Sequence, residues 1–183
     1  MVFAVTSVPA VVEVVDWTPV WGERFEQDKA ELEPVLPADS TIEHIGSTSV
    51  SGLAAKPTID ILVVTAQVEA LRADLRSLEA LGYSYNPKYF ADDKDHLYLM
   101  RDVDGRRTEH LHIFHSRSSA PESDRVFRDY LIAHRGAVQR YAEAKRAAAR
   151  DHPDSRGAYG RAKETVFQQL LIEARTWAAS RRT

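Results

Sequence analysis

The 183-residue chain is 44% hydrophobic and 28% charged, too apolar for intrinsic disorder and ordinary for one globular domain. It has no cysteine, which excludes disulfides, thiolate zinc sites and cysteine nucleophiles. Its 24 Lys+Arg against 27 Asp+Glu give a formal charge of −3, so no bulk basic field exists to hold a nucleic-acid backbone. In chain order, the apolar stretch Val8 to Val15 is broken by Pro9 and Glu13 and has no basic leader. Neither signal peptide nor membrane span is expected, and the default compartment is cytoplasmic. Val11 to Val15 reads as a β-branched strand. Thr18-Pro19 opens a helix with Trp21, Phe25, Leu32 and Val35 on its apolar face, ended by Pro34 and Pro37. Thr41 to Ile45 is a short strand, closed by Gly46-Ser47-Thr48-Ser49.

Pro57 to Val64 is almost continuously apolar, which predicts a central strand. Val68, Leu71, Leu75, Leu78 and Leu81 recur at helical spacing and predict one helix over 68–81, stopped by Gly82. Strands follow around Tyr83 to Tyr89, His96 to Asp102 and Thr108 to His115, the last two joined by an Asp104-Gly105 hairpin turn. Ser123 onwards is helical, with Gly136 a candidate interruption. Ala137 to Arg150 is a further helix, Asp151 to Gly160 a polar loop and Arg161 to Ser180 the last helix. This order predicts an α/β (α+β) chain: one domain over 1–183, a mixed sheet flanked by helices at about 10–116 and a helical C-terminal part at about 123–180.

The chemistry concentrates between Glu43 and Ile61. A strand ends in Gly46-Ser47, where backbone amides and hydroxyls can approach an anion. Lys56 follows as a candidate contact. Asp60 then interrupts a run of Ile, Leu and Val, where an unpaired carboxylate is costly to bury; a metal or a cationic partner would offset the cost. Gly-Ser loops also occur without ligands, and Asp60 could simply pair with Lys56 or cap a loop. His110 and His112 alternate with Leu111 and Ile113, so both imidazoles face one side of a strand, and His44 is a candidate to join them. Imidazoles with one carboxylate suit zinc, manganese or iron better than magnesium, and suit acid–base work near neutrality. Two strand histidines can equally line a polar groove and bind nothing. Lys88, Arg106, Arg107, Arg140, Lys145 and Arg146 are candidate phosphate contacts, with solvated faces the bland alternative. Tyr159 and Lys163 share a helical face if the last helix reaches back to Tyr159. Trp17, Trp21 and Trp177 read as packing residues.

The stretch Glu43-His44-Ile45-Gly46-Ser47-Thr48-Ser49-Val50 … Gly52-Leu53-Ala54-Ala55-Lys56-Pro57-Thr58-Ile59-Asp60-Ile61 resembles the GrpB family, of the polymerase-β-like nucleotidyltransferase superfamily. The Trp-bearing N-terminal segment, Arg107-Thr108 before His110-Leu111-His112, and Phe127-Arg128-Asp129-Tyr130-Leu131 extend the resemblance over nearly the whole chain. The resemblance implies a nucleotidyltransferase-like fold that binds a nucleotide or phosphorylated small molecule with a divalent metal (magnesium or manganese, or zinc) and transfers a nucleotidyl group to an unknown acceptor. In that reading Gly46, Ser47, Thr48, Lys56, Arg107, Tyr159 and Lys163 hold phosphate or nucleotide, with Tyr159 and Lys163 a pocket lid. Asp60, His110 and His112 are catalytic. Asp60 holds the metal, with Glu43, Glu109, His110 and His112 as candidates to complete its site. The superfamily's second carboxylate, two residues along the strand, is Leu62 here, and Ser51 stands where the family usually has Pro. The departure at Leu62 motivates an alternative: a non-catalytic nucleotide-binding or regulatory module with a protein partner. Fusion of related domains to dephospho-CoA kinase would link such a module to coenzyme A biosynthesis. A third reading is a transition-metal hydrolase site; nucleic acid is the weakest candidate partner.

Overall fold

A computed structural model describes residues 11–86, 89–90 and 92–181 of the protein; Lys88 lies outside them. Helix α1 spans Val20–Leu32. Pro19 fixes the backbone at its start, and Thr18 Oγ1 accepts from Val20 N at 3.4 Å. Trp21, Phe25 and Leu32 turn inward from it. Strand β1 is Thr41–Ile45, followed by a single 3₁₀ turn at Ser47–Ser49. Strand β2 is Ile59–Thr65.

The periodic segment 68–81 forms two helices, α2 at Val68–Ala73 and α3 at Arg76–Ala80. Asp74 is extended at φ −141° and its carboxylate accepts from Arg76 N and the Arg76 guanidinium. A local side-chain turn thus replaces the helical bond there, while Val68, Leu71 and Leu78 stay buried. Strands β3, Tyr83–Tyr85, β4, His96–Val103, and β5, Arg106–His115, complete the sheet. Asp104 and Gly105 both take positive φ, +50° and +74°, as the two-residue turn between β4 and β5 requires.

The sheet order is β1-β2-β5-β4-β3. Only β2 and β5 run parallel; the other pairs are antiparallel. The expected central place of β2 is therefore taken by β5, and β2 lies between β5 and the edge strand β1. Register divides the side chains cleanly. Ile45, Asp60, His110 and Met100 form one cross-strand row, and Glu43, Leu62, His112 and Tyr98 the next, on the same face. Ile59, Ile61, Val63, Leu97, Leu99, Leu111 and Ile113 point the other way, into the main core under α1, α2 and α3.

Three helices follow: α4, Ala120–Ala133, α5, Arg135–Asp151, and α6, Arg156–Ser180. The break between α4 and α5 falls at His134 (φ −129°, ψ 88°) rather than at Gly136. Helix α6 begins before the expected Arg161 because Ser155 caps it, its Oγ accepting from Ala158 N at 3.2 Å. The expected strand at Val11 to Val15 is absent; only Val15 bridges, to Ala55. Val12 instead packs with Ala148 and Tyr159, and its N–H donates to Pro153 O. The apolar side chains of this β-branched run thus meet helices rather than the sheet. Among the described residues no helix is long and apolar enough to cross a membrane.

Candidate functional site

A cleft of about 310 Å³ lies between the Asp60 face of the sheet and the helices α4–α6. Its sheet wall is built by Gly46, Lys56, Asp60, His110 and His112. Gly46 has φ +71°, and a Cβ there would collide with the Asp60 carboxylate. Glycine is therefore required twice, by its left-handed backbone and by the close approach.

Asp60 Oδ1 accepts from His110 Nδ1–H at 2.8 Å. Burial works to raise the Asp60 pKa, but the His110 hydrogen bond, aided by the nearby Lys56, outweighs it and holds the group below its ordinary value. Nδ1–H donation leaves His110 Nε2 available. His112 Nδ1 lies 3.1 Å from His96 Nε2, and burial lowers both imidazoles to about 4, so both are neutral at pH 7. Asp60, His110 and His112 each offer a ligand atom, all within 4.8 Å of one another. One carboxylate and two neutral-capable imidazoles fit a divalent transition metal.

Two carboxylates expected to complete that set do not reach it. Glu43 shares the face but is held by Arg125 at 2.5 Å and Arg128 at 3.1 Å. Glu109 occupies a row of the opposite face, where Arg24 and Arg101 grip it at 2.6 and 2.7 Å. His44 also faces away, stacked on Phe25 at 4.7 Å with Nε2 against Thr48 Oγ1 at 2.9 Å. Thr48 is buried, its hydroxyl turned to His44 and Thr58 O, so it lines no part of the cleft. Arg107 is paired with Asp102 and is likewise outside the lining. Leu62, where the resemblance leads one to expect a second carboxylate, is fully buried against Ile45 and Phe114, and a charge in that seat would sit in a small apolar core.

The helical wall brings what the sequence left scattered. Tyr159 and Lys163 both line the cleft from α6, and Lys56 Nζ lies 5.5 Å from the Tyr159 ring. Tyr159 is buried, so it is a wall residue rather than a lid. Lys163 Nζ donates to Tyr141 OH at 3.4 Å. Burial lowers the pKa of Lys56 and of Lys163, with Asp60 opposing it in both. Lys145, a candidate phosphate contact with a solvated face as the alternative, is 2% exposed and lines the same cleft. Arg140 and Arg146 do behave as surface cations, paired with Glu173 and Asp16. Asp124, which the sequence did not single out, stands on α4 at the cleft mouth, open to solvent on its outer side. Desolvation and the Asp60 charge raise its carboxyl to about 6.

A family model described as GrpB protein matches residues 11–173. The chain belongs to the GrpB family. It is 33% identical over 171 residues to the Bacillus subtilis protein YqkA, covering 93% of this chain and 49% of that one. A Pseudomonas aeruginosa relative is 33% identical over 179 residues, at 93% and 69% coverage. The chain thus spans about half the length of the B. subtilis relative. Among solved structures, GrpB from Enterococcus faecalis matches with TM-score 0.78 and 31% identity, covering 88% of this chain and 98% of that one. The α+β fold is thus shared with a GrpB protein of known structure. A match to Cid1, an RNA terminal uridylyl transferase, at TM-score 0.49 and 10% identity, is too slight to argue from.

Proposed function

We propose that this GrpB-family chain is nucleotidyltransferase-like and binds a nucleotide or another phosphorylated small molecule, with a divalent metal, in the cleft between sheet and helices. One observation carries the reading: the Asp60–His110–His112 ligand group and Lys56 on the sheet wall, and Lys163 on the helical wall, line one cleft. A metal held by Asp60, His110 and His112 would supply Lewis-acid neutralisation of phosphate oxygens. The chain's own residues do the rest. Gly46 and Ser47 let a phosphate approach the backbone, while Lys56 and Lys163 offset its charge. Asp60 fixes the His110 tautomer, leaving Nε2 to ligate or to accept a proton from an attacking hydroxyl.

Thermal shift against nucleotides and coenzyme A precursors, each with magnesium, manganese or zinc, tests this on wild type and Asp60→Ala. A ligand at ~100 times its dissociation constant stabilises the fold by about 2.7 kcal/mol, and that metal-dependent shift is expected to vanish in the variant. An unchanged shift in Asp60→Ala, or none with any pairing, overturns the reading. Leu62, fully buried at the position of the second carboxylate, favours a second reading: binding without turnover, as a regulatory module with a protein partner. Asp60-dependent pyrophosphate release would refute that one.

A further inference from the structure

Lys145 is the buried charge in the cleft that the reading above leaves unused. It lies on α5 with 2% of its surface exposed, and its Nζ has no hydrogen-bond acceptor among the described residues. Nζ faces the ring of Tyr141, one helical turn back, 4.5 Å from the centroid. That ring gives partial compensation for a cation, but it is no hydrogen-bond acceptor for three N–H donors. Buried polar groups are almost always satisfied, so an amine kept unsatisfied at a cleft wall calls for an acceptor from outside the chain.

The groups facing Lys145 sharpen this. They are Lys163 of α6, Lys56 of the loop before β2, Arg146 of its own helix and Asp60 of β2. Asp60 already accepts from His110, Arg146 pairs outward with Asp16, and the Tyr141 hydroxyl accepts from Lys163. Three amines from three segments therefore line one cleft whose carboxylates are Asp60, already bonded to His110, and Asp124, with Glu164 also acting on Lys163, and none of these accepts a hydrogen bond from Lys145 Nζ.

We propose that Lys145 captures a phosphate-type anion of at least two negative charges, the terminal phosphates of a polyphosphate chain, together with Lys56 and Lys163. The inference rests on the phosphate reading of the cleft and adds the wall that takes the anion and the charge it must carry. A tetrahedral phosphate presents several oxygens in different directions to donors from separate walls, whereas a carboxylate has two in one plane. Burial, with Lys163 nearby, disfavours the ammonium form of Lys145; a bound dianion favours it. Capture of the anion therefore draws a proton onto Nζ.

Calorimetric titration with inorganic tripolyphosphate, at pH 8 with EDTA and no added metal, tests the proposal in two buffers of different protonation enthalpy. Wild type is expected to bind, and its proton balance is read against that of Lys145→Met because tripolyphosphate carries titrating protons of its own. Lys145→Met, which keeps an unbranched stem of similar volume but ends at the position of Cε, is expected to lose at least about tenfold in affinity, the loss of one charge-assisted hydrogen bond, and to take up fewer protons. Lys145→Arg retains binding with reduced uptake, because a guanidinium is already charged; if it proves too large to fold, Lys145→Met decides alone. No tripolyphosphate binding by wild type, or equal affinity and uptake in Lys145→Met, overturns the proposal. Asp60→Ala separates the two readings. Metal-free tripolyphosphate binding survives that substitution if Lys145 is the captor, whatever becomes of the metal-dependent nucleotide shift. A nucleotide shift that depends on Asp60, without tripolyphosphate binding, overturns the Lys145 assignment and spares the metal reading.

Discussion

Replacing Lys145 by methionine is expected to make the ligand-free protein more stable. The amine is 2% exposed and lacks an acceptor among the described residues; leaving such a group unsatisfied costs about 1–3 kcal/mol. Methionine fills the same volume, buries no polar atom and keeps a favourable sulfur contact with the Tyr141 ring. For a chain of this size each kcal/mol moves the midpoint by about 2–4 °C, so the gain is a readable few degrees. The pH dependence has a definite sign. Burial lowers the Lys145 pKa well below its ordinary 10.5, so between the lowered value and 10.5 the unfolded chain binds more protons than the folded one. Wild-type stability from this group then rises with pH through that window, and the advantage of Lys145→Met narrows as pH climbs from 7 toward 10. Urea unfolding of both proteins at pH 7 and pH 9.5, in phosphate-free buffer, measures it. A methionine variant less stable than wild type at pH 7, or an advantage that widens with pH, refutes the reasoning.

Three further outcomes are expected. Gly46→Ala combines a φ of +71° with a collision against Asp60; it should cost about 1–2 kcal/mol and reduce any metal-dependent thermal shift, and unaltered stability would contradict the account of that turn. Arg101→Met strands Asp28 and leaves Glu109 to Arg24 alone among its ion-pair partners, and should cost about 3–5 kcal/mol by urea unfolding. Asp28 is already raised to about 6 by burial, so the loss should shrink as pH falls through that region and the carboxyl is neutralised; a loss that deepens on acidification would count against the network. Ser155→Ala removes the cap of α6 and should cost about 1 kcal/mol, while a midpoint equal to wild type would deny the cap its role.

What the sequence made legible follows the physics of each pattern. The strands read at Thr41 to Ile45, Pro57 to Val64 and His96 to Asp102, and the Asp104-Gly105 hairpin, rest on local rules (apolar runs, strand-forming residues and positive φ), and the observed β1, β2 and β4 lie within two residues of those bounds. Asp60, His110 and His112 fell together because strand parity fixes a face and β2 pairs β5 in register. The same parity places Glu109 with Leu111 on the other face; proximity in sequence to the histidines made it a candidate, and alternation removes it. Lys145 stood among the candidate phosphate contacts but could not be told from its solvated neighbours, because α5 is crowded with Ala, Arg and Lys and the one buried lysine differs only in sharing a face with Tyr141, four residues earlier. Asp124 left no signal, since a carboxylate on a polar helix is ordinary and only the docking of α4 beside β1 gives it Asp60 as a neighbour. At Asp74 a single side-chain turn defeated a five-residue helical pattern.

The two walls of the cleft are buttressed independently. The main sheet core joins the strands to α1–α3, while a second apolar cluster joins α4–α6 to Val50, Leu53 and Ala54 and includes no strand residue. Across the seam run polar links such as Glu43 to Arg125 and Arg128. A molecule held at once by Asp60 and Lys145 would therefore act as a mechanical tie between two separately packed bodies. Its arrival should be felt far from its own atoms, as slowed amide exchange along the inward turns of α5 and α6 with the interior strands β2 and β5 unchanged.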